Sequence, residues 1–517
     1  MPCPARRVLF DQSLSSFMWV FGTCRPRALP GGRQSWSLTA AAGVMIALVT
    51  LALSCRQGPE SGQPNVVLIL VDDLGWADTA VYGSQFYETP HVNELAADGM
   101  RFTRAYAASP VCSPSRSALL SGNHPARLNQ TNWIPGGSNS PDHRLLEVQD
   151  ENHLPRSEET LAEALRRDGY VTVHMGKWHL GDEGHLPKDQ GFDINVAGNR
   201  NGSPPEYFWP YKRGNYQLDE LAATGEEGEY LTTRLGTEAV EFIRGHRDRP
   251  FFLFLSHYAV HTPLQAPDSL VQKYRTKRDT MHWPERPVMG EEHGHKWLMQ
   301  QRNPVFAAMI EAMDRTIGRV RTALQEAGVA EETVVIFTSD NGGLATDHPS
   351  TSNYPLRAGK GWLYEGGVRV PQIVHWPGVT APGSTSNAAV FGTDLYRTIL
   401  GITGTEVPDG QGLDGRSLVP ELRDAGTLSS RPLFWHFPHY HGGGNTPSAA
   451  LRSGPFKLVQ YFALEEVELY DLSEDLSEQR DLSGRRPALA DSLLDRLKQW
   501  RSQVDAQMPR PNPNHSP

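Results

Sequence analysis

Two acidic groups stand where chemistry could be done. Asp72-Asp73 follows the apolar run 65–71, and Ser339-Asp340-Asn341-Gly342-Gly343 follows the run 333–338. Two bare carboxylates facing an Asp-Asn pair would make a hard, all-oxygen ligand set, suited to Ca²⁺ or Mg²⁺ better than to zinc. Each group alone is also an ordinary turn that closes a strand; their joint occurrence at two apolar strand ends points to a metal site. Cys112-Ser113-Pro114-Ser115-Arg116 opens a helix. A thiol there is either a nucleophile whose pKa the helix end lowers or a small buried residue. Cationic residues follow three more strand ends: Lys177 and His179 after 170–175, His257 and His261 after 251–256, and Arg357 and Lys360 after the Asp-Asn-Gly-Gly turn. Facing a metal, such a set would bind an anion carrying two or three oxygens. Taken singly, each is a solvated lysine or a satisfied core histidine.

The elements that must position these residues alternate along the chain. Asn65 to Val71 is a continuous apolar run rich in β-branched residues, as in strands buried on both faces of a parallel sheet. A helix is expected over 158–168, with Glu158 and Glu159 in its first turn and Gly169 as its stop, followed by a strand at 170–175. A helix at 231–245 precedes the strand 251–257, and a helix at 304–327 precedes the strand 333–338. This alternation predicts an α/β fold, a parallel doubly wound sheet with helices on both faces. Ligands of such sheets sit at the carboxyl ends of the strands, where the residues above fall. The stretches 195–230 and 262–300 read as long surface loops. Past about 425 the pattern changes to short strands at 432–437, 448–452, 456–462 and 467–470 and a helix at 486–503. The expected organisation is a leader and linker at 1–60, a catalytic α/β domain at 61–425, a small antiparallel sheet with one helix at 426–506, and a disordered tail at 507–517.

Composition narrows the function classes. Among 517 residues, 12 Trp, 16 Tyr and 18 Phe supply a real core. A net charge of −10 is poorly suited to coating nucleic acid, and no nucleic-acid partner is expected. A mean hydropathy of −0.46 excludes a polytopic membrane protein. The cysteines are Cys3, Cys24, Cys55 and Cys112, which excludes a disulfide framework and a zinc site built from paired cysteines. Leu38 to Leu53 is apolar, short for a spanning helix, preceded by Arg25, Arg27 and Arg33, and followed by Cys55 and a polar stretch. This is similar to a bacterial lipoprotein signal, with lipid on Cys55 favoured over plain secretion or an uncleaved anchor, and predicts an exported periplasmic or cell-surface chain. Cys112 is then the one free thiol.

Six blocks in order carry a family resemblance: NVVLILVDDLGW, CSPSR, GYVTVHMGKWHLG, HTP, SDNGG and PLRAGKGWLYEGGVRVP. From about Pro64 to Gly484 the chain resembles a type I sulfatase of the alkaline phosphatase superfamily. The resemblance implies a large mixed, mostly parallel sheet sandwiched by helices, with a small C-terminal antiparallel sheet and helix. It implies that a formylglycine-generating or anaerobic sulfatase-maturating enzyme oxidises Cys112 to formylglycine. The hydrated aldehyde attacks sulfur through one oxygen and expels sulfate with the other, which avoids an overstable sulfate ester. By the same resemblance, Asp72, Asp73, Asp340 and Asn341 bind Ca²⁺ (ahead of Mg²⁺) with the Cys112-derived oxygen. Arg116 and His179 hold the hydrate, with His179 as the base for elimination. Lys177 and Lys360 grip sulfate oxygens, and His261 protonates the leaving alcohol, with help from Lys360. Two departures stand out: Ser121-Gly122-Asn123 follows the helix after CSPSR where Thr-Gly-Arg is common, and Met175 replaces a smaller residue.

The expected substrate is a sulfated glycan, with galactose or N-acetylgalactosamine units suggested by the similarity of segments 132–137 and 198–205 to bacterial polysaccharide sulfatases. Asn199, Arg200, His436 and His439 are candidate sugar contacts, although a His-rich surface loop accounts for the last two equally well. A formylglycine-dependent phosphonate monoester or phosphodiester hydrolase is the alternative. The GKWHLG and HTP blocks and the two lysines favour sulfate.

Overall fold

A computed structural model describes residues 62–515, apart from 138 and 409. The apolar run at Leu38–Leu53 and the lipidation site at Cys55 lie outside the described residues. Among those described, no helix is long and apolar enough to cross a membrane.

The principal strands in chain order are β1 (Asn65–Val71), β2 (Met100–Tyr106), β3 (Val171–Gly176), β4 (Ile194–Val196), β5 (Phe251–His257), β6 (Thr333–Ser339), β7 (Arg369–His375) and β8 (Ser384–Phe391). They form one eight-stranded sheet in the order β8-β2-β7-β6-β1-β5-β3-β4. All neighbours pair in parallel except β7, which runs antiparallel to both β6 and β2. The sheet is therefore mixed and mostly parallel.

β1 explains why the strand reads as uninterrupted hydrophobicity. Val67, Ile69 and Val71 enter one core and Val66, Leu68 and Leu70 the other, all fully buried. Helices cover both faces. On the first lie α1 (Pro90–Asp98), α4 (Leu231–Gly245), α5 (Asp268–Thr280) and α6 (Pro304–Glu326). On the second lie α2 (Cys112–Ser121), α3 (Leu161–Arg167) and α7 (Asp394–Thr403). Local chemistry sets their ends. Thr160 and Glu163 form a capping box that starts α3 later than the expected 158. Pro304 occupies the first turn of α6, and the Asn303 side chain accepts from the Val305 and Phe306 amides.

Four strands, β9 (Leu433–Phe437), β10 (Ser448–Ser453), β11 (Phe456–Tyr461) and β12 (Glu466–Asp471), form an antiparallel sheet, with α8 (Pro487–Gln503) on one face. Ala449 and Leu451 of β10 face α8, and Ala450 between them packs with Trp362 and Tyr364 against the larger unit.

Three expectations need correction. The stretch 262–300 is not a plain loop: it holds α5 and a hairpin of Met289–Glu292 with His295–Leu298. Only Leu270, Val271 and Tyr274 of α5 are buried, a stripe too narrow to stand out among its charges. The stretch 195–230 likewise contains the helix Asp219–Thr224 and a short strand pair. The tail is not disordered through 515. Arg510–Pro511 pairs with Leu145–Leu146, and the Asn512 side chain donates to the His143 carbonyl at 2.7 Å.

The two sheets are joined by buried charge. Lys457 of β11 is 0% exposed, and its Nζ lies 3.0 Å from Glu365 and 3.0 Å from Glu478. Burial raises Glu365, but Lys457 and two arginines outweigh it and hold that carboxyl at about 2. Burial pushes Glu478 up to about 7. Removing one partner of a buried pair leaves an uncompensated charge. Lys457→Ala should therefore cost about 3–5 kcal/mol, read as a lower midpoint in urea unfolding. An unchanged midpoint would show that water reaches these carboxylates.

Candidate active site

The site forms where β1, β3, β5 and β6 end. β1 delivers Asp72 and Asp73. The Asp72 backbone is pinned by exchange with the next strand's extension: its amide donates to the Ala259 carbonyl at 3.0 Å, and its carbonyl accepts from the Val260 amide at 2.8 Å. Asp73 sits at φ 58°, a left-handed conformation that an aspartate tolerates better than most residues and that turns its carboxylate back over the strand end. β6 delivers Asp340 and Asn341. The Asp73 amide donates to Asp340 Oδ1 at 3.1 Å, so the two strand ends are tied directly. Ser339 strengthens the tie: its hydroxyl lies 3.0 Å from both the Val71 and Asn341 carbonyls, donating its one proton between them, and accepts from the Leu74 amide.

Cys112 is the first residue of α2 and is 2% exposed. Its Sγ lies 3.7 Å from Asp72 Oδ1 and 4.0 Å from Asp73 Oδ1. One donor atom each from Asp72, Cys112 and Asp340 falls within 4.8 Å of the others, and the same holds for Asp73, Cys112 and His261.

Three cations neutralise the three carboxylates. Lys177 Nζ donates to both Asp72 oxygens at 2.8 Å. Lys360 Nζ reaches both Asp73 oxygens at 2.8 and 2.9 Å. Arg116, one turn after Cys112, donates from Nε to Asp340 Oδ2 at 2.8 Å, and its Nη2 lies 3.5 Å from Asp72. Its Nη1 donates to the Lys177 carbonyl and to Ser256 Oγ. Ser256 belongs to none of the sequence motifs that mark the other site residues. Its signal is visible in hindsight: it is the first polar residue after the apolar run FFLFL that begins β5.

Electrostatics follow the geometry. Burial pushes Asp72 up to about 8 against the pull of Lys177. Burial acts on Asp73 in the same sense, but Lys360, His261 and Lys177 outweigh it and hold that carboxyl well below the usual range. Asp340 is lowered in the same way by Arg116 and Lys177. Burial pushes the Cys112 thiol up to about 12, and Lys177 and Lys360 offset this only in part. A thiol held protonated weighs against the thiolate alternative.

The histidines divide. His179 sits at φ 61°, and its Nε2 donates to the Ile134 carbonyl at 2.6 Å. Its buried Nδ1 has no partner, and burial with Lys177 keeps the ring neutral. His261 donates from Nδ1 to the Thr262 carbonyl at 2.8 Å, and its Nε2 lies 3.6 Å from Asp73. Burial and Lys360 lower it to about 3. His257 is a core residue hydrogen-bonded to Thr316 at 3.0 Å.

The carboxylates fit a hard divalent cation. Asn341 donates to Asp73 Oδ1 at 2.8 Å while its own Oδ1 is buried without a partner, an orphaned oxygen in the position a ligand would take.

The sugar-contact candidates fare differently. His436 is buried and pairs with the Gln507 carbonyl at 2.7 Å. His439 is buried between Glu147 and Asp150, which raise it against the effect of burial. Both are internal braces, and neither lines a rim. Arg200 is exposed and paired with Asp182 at 2.7 Å. Asn199 is adjacent to the site through its carbonyl, which accepts from the His179 amide at 3.1 Å. His441 lies nearer the centre than its two neighbours, edge-on to Trp133 at 5.6 Å, with its ring directly over Gly361.

Comparison with known proteins agrees with this geometry. Residues 64–405 match the sequence model of the sulfatase family, and 358–503 match that of the N-sulphoglucosamine sulphohydrolase C-terminal region. A sulfatase of Formosa agariphila is 30% identical over 522 residues, covering 87% of this chain and 91% of that one. The N-acetylgalactosamine-6-sulfatase of Mus musculus is 31% identical over 469 residues, covering 86% and 81%. The crystal structure of Ps i-CgsB in complex with k-i-k-neocarrahexaose superimposes with a TM-score of 0.68 at 29% identity, covering 86% and 94%. The chain belongs to the sulfatase family and is a sulfuric ester hydrolase of alkaline phosphatase-like fold.

Proposed function

We propose that this enzyme removes O-sulfate from a sulfated carbohydrate, with galactose or N-acetylgalactosamine units of a polysaccharide as the favoured class, and that Cys112 is matured to formylglycine beside a bound Ca²⁺. The observation that carries the proposal is the convergence of Cys112, three buried carboxylates and three buried cations on one point. The names of the relatives, an N-acetylgalactosamine-6-sulfatase and a complex with a neocarrahexaose, support a glycan substrate. The domain organisation is taken as 61–425 for catalysis and 426–506 for the subdomain. Lipid on Cys55 would hold the exported chain at a cell surface.

Asp72, Asp73, Asp340 and Asn341 would hold the ion, which supplies Lewis-acid stabilisation of negative charge on oxygen. The hydrated formylglycine supplies the attacking oxygen and a second hydroxyl for release of sulfate. The chain's own residues do the rest. Lys177 and Lys360 would meet sulfate oxygens in exchange for their contacts with Asp72 and Asp73. Arg116 fixes Asp340 through Nε and the Lys177 carbonyl and Ser256 through Nη1, a spread of donors that a lysine could not reproduce. His179, neutral and with Nδ1 free, takes the proton whose loss expels sulfate. His261 presents Nε2 toward the leaving group. An anionic ester beside it would raise its proton affinity against the effect of burial and Lys360, and Lys360 can share the donation.

Peptide mass spectrometry on protein made with a maturation enzyme tests the nucleophile. The Cys112 peptide should carry formylglycine, with hydrolysis of aryl sulfate well above that of aryl phosphodiester. An unmodified Cys112 in protein that cleaves sulfate esters would overturn the mechanism, and a preference for phosphodiester would favour the alternative hydrolase.

His261→Ala should lower kcat on an alkyl sulfate by about 10²–10⁴. The loss on an aryl sulfate should be smaller, because a phenolate leaves without a proton. Equal losses on both would remove His261 from the acid role.

Ca²⁺ at a hundredfold excess over its Kd should stabilise the folded chain by about 2.7 kcal/mol, read as a rise in Tm. Asp340→Asn should abolish that rise relative to its own ion-free Tm. A variant that kept the full rise would place the ion elsewhere.

A further inference from the structure

Between the β8–β2 edge of the large sheet and the C-terminal sheet lies a cavity of about 1000 Å³. None of the residues that meet at Cys112 lines it. Three guanidiniums do: Arg104 of β2, Arg369 of β7 and Arg452 of β10. Arg369 is committed, bonding the Thr103 carbonyl and Glu365. The other two are not. Arg452 is only 5% exposed, its Nε is buried without a hydrogen-bond partner, and its guanidinium lies 5.5 Å from the Tyr106 ring centre. Arg104 is exposed at the cavity's mouth. Among the described residues, no carboxylate comes within ion-pair distance of either.

Nearby acids are already used. Glu365 accepts from Tyr106 and Lys457, one on each oxygen, and pairs with Arg369 besides. Glu421, which also lines the cavity, accepts from Ser386 Oγ at 2.5 Å and from the Gly426 and Leu428 amides at 2.8 and 3.0 Å. Burial and the Arg452 charge both depress Arg104, as expected of like charges sharing one space. A buried guanidinium without a counter-charge is costly. Arg452 buried and Arg104 at the mouth, facing one cavity, form a site for an external anion, and planar guanidiniums suit a tetrahedral oxyanion held by paired hydrogen bonds. Thr385 and Ser430 add hydroxyls to the wall.

We propose that this cavity binds a sulfate group of a sulfated glycan at a position remote from the ester being hydrolysed. The anion chemistry follows from the arginines alone; the glycan as its source rests on the function proposed above. The site would hold a polymer while successive groups are presented to the catalytic centre.

The test uses the full matured chain with Arg104→Ala and Arg104→Glu, at an exposed position that tolerates both. With a sulfated galactan hexasaccharide as substrate, Arg104→Ala should raise KM about tenfold and Arg104→Glu more, with kcat and the KM for an aryl sulfate unchanged. The same hexasaccharide titrated into Cys112→Ala protein should bind more weakly when Arg104→Ala is added, and its chemically desulfated counterpart should show no such difference. Arg104→Lys should restore part of the affinity, because charge survives but the fork is lost. Unchanged KM and unchanged binding would overturn the proposal. So would inorganic sulfate at micromolar concentration displacing the hexasaccharide from the Arg104-dependent site, since the cavity would then serve the free anion. If the matured chain hydrolyses no sulfate ester, the proposed function fails, and the binding titration still decides the cavity.

Discussion

The structure is organised around a cost: three carboxylates, on Asp72, Asp73 and Asp340, are 0–2% exposed within one small volume. Bare, such a cluster could not stay ionised. Its charge is met one for one by Lys177, Lys360 and Arg116, each drawn from a different part of the chain. The balance has a functional consequence. With Asp72 ionised, as a bound cation would require despite the rise that burial gives it, three negative groups balance three positive ones. A divalent cation then leaves a surplus of positive charge that only an incoming anion can offset. Ion and sulfate ester therefore favour one another's presence, and the lysines can release Asp72 and Asp73 in exchange for sulfate oxygens without leaving any charge uncompensated.

The sheet topology makes this convergence possible. β1 lies between β6 and β5, and β3 lies beyond β5, so four parallel strands discharge their carboxyl ends at one edge. Parallel pairing keeps the register fixed: Val71 is opposite both Ser339 and His257, and Gly176 is opposite Ser256. The residues just past those positions, Asp72, Asp340 and Lys177, are thereby set side by side. α2 closes the arrangement from the opposite direction, with Cys112 at its first position and Arg116 a turn later on the same face. Arg116 touches the ends of β3, β5 and β6 at once, which makes its guanidinium a rivet through the whole edge.

Much of this was legible in the sequence because it depends on local pattern. An apolar β-branched run that stops at Asp-Asp, or at Asp-Asn-Gly-Gly, marks both a buried strand and its chemistry. Legibility failed where pattern and environment part. β7 is interrupted by Pro371, which falls where the register shifts between Val370 and Gln372, so the strand hides behind a residue that ordinarily excludes one. α5 hides behind its charges. His439 reads as a surface histidine because its counter-charges, Glu147 and Asp150, lie nearly three hundred residues earlier in the chain. Ser256 reads as a strand residue until its hydroxyl is seen to hold both Arg116 and the Lys177 carbonyl. What sequence does not carry in these cases is a long-range partner.

Placement of charge matters more than its sum. The chain's net charge of −10 repels a polyanion at long range, and screening at physiological salt limits that repulsion to about 8 Å. Inside that distance, local groups decide. At the catalytic edge the cations are already matched by acids. At the seam between the two sheets, Lys457 and Arg369 pair directly with Glu365 and Glu478, while among the described residues Arg104 and Arg452 make no ion pair. Two guanidiniums without an ion pair, one of them nearly buried, give this acidic protein a local attraction for anions at that cavity. For a polymer bearing many sulfates, a fixed attractive point away from the scissile ester raises the effective concentration of the remaining esters at the catalytic edge without altering the chemistry there.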